Sequence, residues 1–137
     1  MIHIKQDVLK KSVCQHYSIT EEELHAFNRR SDIIGARRMF YYIARNHLNI
    51  TYKKIGNIFD QDHATVMYHE RKLADFLEFD KSEMAIYESI KEAMFGAIKY
   101  DTAQEELSDL QRKKILIEDR IKELQEEINN QYNFLFN

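Results

Sequence analysis

The stretch TYKKIGNIFDQDHATVMYHERKLADFL, Thr51 to Leu77, decides how this chain folds. It holds two helical patterns separated by a short polar break. Thr51 is a good helix-capping residue, and Ile55 and Phe59 recur four apart behind it, so the spacing predicts a short helix over about 52–59. Asp60, Gln61 and Asp62 then make a tight turn. Asp62 caps a second, longer helix over about 63–78, with Val66, Leu73, Phe76 and Leu77 facing inward. Short helix, turn, longer helix is a helix-turn-helix arrangement.

The composition agrees with that frame. The chain has 137 residues, enough for one modest domain and an appendage. It is 44% hydrophobic and 31% charged, the profile of a folded chain rather than a disordered one. Three glycines and no prolines leave little to break helices or build hairpin turns, so an all-α protein is expected. A single cysteine, Cys14, excludes an internal disulfide and a cysteine-rich zinc site. The opening MIHIKQDVLKK lacks an apolar signal core and no stretch is long enough to span a bilayer, which predicts a cytoplasmic chain with no membrane partner. No Walker-type phosphate loop, G-x-S-x-G elbow or H-E-x-x-H pair occurs, so neither a cofactor nor an enzyme activity is expected.

Other helices follow from spacing and caps. Ile4, Val8, Val13 and Tyr17 predict a first helix near 4–17. Thr20 with Glu23 forms a capping box for a short helix to about Phe27. After a basic loop, NRRSD, Asp32 is the expected cap of a helix over about 33–48, with Ile33, Ala36, Phe40, Ile43 and Ala44 inward. NHLNI ends it, and beyond Leu77, Asp80 or Ser82 starts another helix with Ile86, Ile90 and Met94 inward. Charge is uneven: residues 28–54 carry seven Lys/Arg (Arg29, Arg30, Arg37, Arg38, Arg45, Lys53, Lys54) against one acid, Asp32. Such a patch is either a solvated helix face or the footprint of a polyanion.

Asp62, His63 and His69 raise the question of a metal or an acid–base site. His63 and His69 are six apart, about 600° around a helix, so they diverge, and the Asp62 carboxylate is needed at the cap. The residues serve better as a reading surface. Positions 63, 64, 65, 68, 69 and 72 form a polar strip opposite Val66, Leu73 and Phe76, with small Ala64 and Thr65 able to approach base edges. Lys53, Lys54 and Lys72 are placed to hold phosphates.

The segment NRRSDIIGARRMFYYIARNHLNITYKKIGNIFDQDHATVMYHERKL resembles the C-terminal DNA-binding domain of the bacterial chromosomal replication initiator family, DnaA. Ile55-Gly56-x-x-Phe59, Asp62-His63-x-Thr65-Val66 and Arg71-Lys72-Leu73 fall at the family's spacing, and the likeness runs from about residue 4 to 98. The resemblance implies a Trp-repressor-like helical bundle that binds double-stranded DNA. Arg29 or Arg30 would match the arginine that enters the minor groove. Asp62, His63, Ala64 and Thr65 would match the major-groove readers, and Arg37, Lys53 or Lys54, Thr65 and Tyr68 would lie near phosphates. The chain departs from the family in a turn one residue shorter and free of glycine, in Gln61, in Ala64, in His69 and in the added acid Glu70. The family's ATPase region has no counterpart here, which implies the DNA-binding module used alone.

Residues 107–135 follow a heptad, with Leu107, Lys114, Ile121, Ile128 and Leu135 at a and Leu110, Ile117, Leu124 and Gln131 at d. A coiled-coil-like helix that pairs two copies is expected; a helix folding back on its own domain is the alternative. The expectations are therefore a DNA-binding domain over 1–100, a heptad helix over 101–137, and a homodimer through 107–135. The function expected is sequence-specific DNA binding that regulates replication or transcription of a bacterial or mobile-element genome. The competing reading is a protein–protein adaptor working through the coiled coil, favoured by Glu70, Asp75 and Glu78 on the second helix.

Overall fold

The structure, a computed structural model, describes residues 2–26 and 28–136, with side chains from Lys5 onward. The expected inward Ile4 and the helix end at Phe27 lie outside the described residues. Among the described residues six helices form: α1 (Ile2–Tyr17), α2 (Glu21–His25), α3 (Ser31–Asn46), α4 (Tyr52–Phe59), α5 (His63–Phe79) and α6 (Lys81–Phe136). The described residues contain no strand, in line with the all-α expectation.

Local hydrogen bonds set most boundaries. At α2 the capping box is complete: the Glu23 amide donates to Thr20 Oγ1 at 3.0 Å and the Thr20 amide to Glu23 Oε1 at 3.1 Å. Thr51 caps α4 by accepting from the Lys54 amide at 3.2 Å, and Asp80 caps α6 by accepting from the amides of Ser82 and Glu83. Asp32 is not the cap of α3. The helix begins two residues earlier than expected, at Ser31, with Arg30 at the cap position and its amide donating to the Asn28 side chain at 2.9 Å. Asp32 instead sits in the first turn, paired with Arg30.

The chain divides into two compact units, Met1–Ile98 and Lys99–Asn137. In the first, α3 is the central helix, packed by α1, α2, α4 and α5. Its Ile33, Ala36, Met39, Phe40, Ile43 and Ala44 have no exposed surface, the four larger side chains each contributing about 1.5–3 kcal/mol of burial. Phe59 of α4 is the hub of an aromatic cluster, 5.0 Å from the ring of Phe40, 5.3 Å from Tyr41 and stacked on His25 at 4.8 Å. The start of α6 closes the unit through Tyr87, Ile90 and Met94, with His47 hydrogen-bonded to the Tyr87 hydroxyl. In the second unit, every described side chain from 102 to 136 is exposed.

Candidate nucleic-acid interface

The α4–turn–α5 corner is built by a close backbone approach. Asp60 takes the left-handed conformation at φ 53°, and the Gln61 amide donates to the Gly56 carbonyl at 2.8 Å. A Cβ on Gly56 would fall inside the 3.0 Å that real Cβ atoms respect, against the Gln61 carbonyl oxygen. Only glycine fits, which accounts for the Ile-Gly pair. The short glycine-free turn is therefore workable because Asp, one of the residues most tolerant of left-handed backbone, carries the positive φ.

Asp62 ends the turn and caps α5, its Oδ1 accepting from the Thr65 amide at 2.7 Å. That backbone bond, with help from the Thr65 hydroxyl, holds the Asp62 carboxyl below the usual aspartate range. The residue is thus ionised and partly committed to the cap. Beyond it, His63, Ala64, Tyr68 and Lys72 are exposed on one face of α5, and Thr65 is half-buried beside them. The Lys72 ammonium lies 5.8 Å from the Phe76 ring centroid. Arg71, which the sequence reading did not assign to the site, is exposed and lines a shallow depression with Ala64, Met67, Tyr68, Lys72 and Asp75. Its place next to Lys72 in the sequence was the available signal.

Two residues expected to stand exposed on α5 do not. His69 is half-buried: its ring lies 6.1 Å from Tyr41, and its Nδ1 accepts from Arg38 Nε at 3.0 Å. Burial first, and then Arg38, push its pKa down, so the neutral ring fits this role. Glu70 is only 8% exposed. Its carboxylate accepts from Asn46 Nδ2 at 2.9 Å and from the Tyr52 hydroxyl at 3.3 Å, tying α5 to α3 and α4. Glu70 therefore puts no negative charge on the reading face and does not favour the adaptor; Asp75 and Glu78 remain exposed.

The basic stretch is likewise divided. Arg37 does not stand free for a phosphate: its Nε donates to the Leu24 carbonyl at 2.7 Å and its guanidinium also bonds the Ala26 carbonyl. Arg30 pairs with Asp32 at 2.7 Å and Glu23 at 3.4 Å. Arg38 lies over Phe76 and Arg45 over Tyr52. Arg29, Lys53 and Lys54 are exposed, and their side chains make no hydrogen bond or ion pair among the described residues. Of the two loop arginines, Arg29 is thus the one available to a groove. It lines a cleft with Asn28, Arg37, Gln61, Thr65 and His69, so the 28–30 loop and the first turn of α5 meet on one surface.

Residues 6–73 match the family described as bacterial dnaA protein helix-turn-helix. These residues form a DnaA-type helix-turn-helix domain. The chain is 33% identical over 86 residues to the chromosomal replication initiator protein DnaA of Bacteroides thetaiotaomicron, covering 62% of this chain and 18% of that protein. It is 30% identical over 80 residues to the Bacteroides fragilis protein of the same name, covering 58% and 17%. For the DnaA of Caldanaerobacter subterraneus the figures are 28% over 89 residues, 65% and 20%. The chain thus spans about a fifth of the length of these curated relatives. The DnaA-type domain is a binding fold rather than a catalytic one. Among the described residues no helix is long and apolar enough to cross a membrane.

Proposed function

We propose that this chain binds double-stranded DNA sequence-specifically through its DnaA-type domain, and so regulates replication or transcription of a bacterial or mobile-element genome. The observation that carries the reading is the shared surface of the 28–30 loop and α5. Arg29 stands unpaired there beside a first turn that presents His63, Ala64 and Thr65. A helix N-terminus with small and polar side chains fits the major groove, and an adjacent free arginine fits the narrower groove beside it. Lys53 and Lys54 on α4, with Arg71 and Lys72 on α5, supply phosphate contacts. The chain acts as a homodimer through 107–135, whose aliphatic side chains are exposed.

Selection of sites from random duplex DNA, followed by binding of His63→Ala, tests this. A base contact is worth about 1–3 kcal/mol, so the variant should lose roughly ten- to a hundredfold affinity for the selected site. Affinity for scrambled duplex should hardly change. Equal loss on both duplexes would mean that α5 does not read sequence. Recovery of no motif would favour the adaptor.

A further inference from the structure

The exposed face of residues 110–135 has an internal symmetry. Its core positions read Leu110, Lys114, Ile117, Ile121, Leu124, Ile128, Gln131, Leu135. The two polar residues stand second from each end, and aliphatic residues fill the rest, so the series has the same polar and apolar order in either direction. The aliphatic members are between 40% and 70% exposed.

We propose that two copies pair here as an antiparallel coiled coil in one register, which rests on the dimer reading above. Antiparallel helices set a positions of one against d positions of the other. With Ile121 opposite Leu124 of the second copy, Ile117 meets Ile128, Leu110 meets Leu135, and Lys114 meets Gln131. Both polar interruptions then share one layer at each end, where the Lys114 ammonium donates to the Gln131 side-chain carbonyl. The flanking charges agree. Arg120 comes beside Glu127 of the second copy, twice by symmetry, and both are exposed surface groups already attracted along their own helix at 3.9 Å.

The competing arrangements fit less well. A parallel pair gains Lys113 against Glu118 at the rim but sets Lys114 against Lys114 in the core, where desolvation makes like charge costlier. Sliding the antiparallel pair by one heptad, to set Ile121 opposite Ile117, brings Arg120 against Arg120 and moves Lys114 opposite Leu124. Buried polar positions are an established register device, and this chain has two that match only in one way.

Sedimentation of the full chain and cysteine crosslinking of Ile117→Cys and Ile128→Cys chains test this. The parent, whose only thiol is the buried Cys14, serves as the control. In the proposed register, positions 117 of the two copies stand about 16 Å apart along the coil, far beyond disulfide reach. Neither variant alone should form a disulfide dimer. Mixed one to one, about half the chains should link, the statistical share of mixed dimers, through a peptide joining 117 to 128. Linking of Ile117→Cys to itself would overturn the orientation while leaving the dimer standing. A sedimenting dimer that links in neither format would place the contact on another face and overturn the proposal. A monomeric parent would overturn the dimer reading and this inference with it.

Discussion

Gly56→Ala tests the geometry of the corner most directly, because two effects of opposite sign are in play. Gly56 lies within a helix, so alanine by itself should add up to about 1 kcal/mol of stability. Against that, the new methyl would overlap the Gln61 carbonyl oxygen and lie 3.4 Å from its carbon, both backbone atoms that cannot rotate aside. Relieving the overlap means moving the turn, at about 1–3 kcal/mol for overpacking. The same movement weakens the bond from the Gln61 amide to the Gly56 carbonyl, worth about 1 kcal/mol. The steric and hydrogen-bond losses exceed the propensity gain, leaving a net loss of about 2 kcal/mol. In a domain of this size that is roughly 10 °C in Tm. Near-ultraviolet circular dichroism is the suitable probe, since Phe40, Tyr41 and Phe59 cluster next to the corner and report on this unit. Gly96→Ala is the control: a Cβ there meets nothing within 4 Å, so that variant should melt at or slightly above the parent. If Gly56→Ala also melts at or above the parent, the close approach is not what the corner depends on.

Three further outcomes follow from the same geometry. Glu70→Leu leaves the Asn46 amide and the Tyr52 hydroxyl without their carboxylate and should cost about 1–3 kcal/mol, with Glu70→Gln milder; an unchanged Tm for the leucine variant would mean that the network holds nothing. Lys53→Ala and Lys54→Ala should each lower the salt slope of DNA binding by about one unit at constant Tm, whereas Arg37→Ala should lower Tm; the reverse pattern would exchange their roles. His25, His47 and His69 all have pKa values pushed down, chiefly by burial, so the fold favours their neutral forms. Their contribution is complete above the unfolded value of about 6.5 and is lost as pH falls below it. Tm should therefore drop between pH 7.5 and 5, and a flat profile would show that these rings are not protected.

The elements that the sequence made legible are those set by near neighbours. Thr20, Thr51 and Asp62 each cap through a bond to the third residue on, so the spacing alone carries the information. The helical conformation of residues 107–135 is legible for the same reason. What could not be read is which charges remain free. Counting seven cations in 28–54 counts charge, not availability, and Arg37 and Arg38 are engaged by partners 13 and 31 residues away. Glu70 finds Asn46 across 24 residues. A signal for Glu70 was nonetheless present. It falls four after Val66, three before Leu73 and seven before Leu77, on the buried stripe of α5, where a carboxylate requires donors. His69, three after Val66 and four before Leu73, lies on the flank of the same stripe, where Tyr41 and Arg38 of α3 meet it.

Arg37 has a bearing on the entropy of binding. By bonding the carbonyls of Leu24 and Ala26, it fastens the end of α2 to α3 just before the residues that carry Arg29. A recognition arm that is loose until it meets DNA gives up conformational freedom on contact, and that loss subtracts from affinity. An arm whose root is already restrained gives up less. If Arg29 enters a groove as proposed, the same restraint narrows the range of groove widths that it can follow. On this chain the arm should therefore act as a gauge of groove shape, rejecting tracts that a freer arm would accommodate.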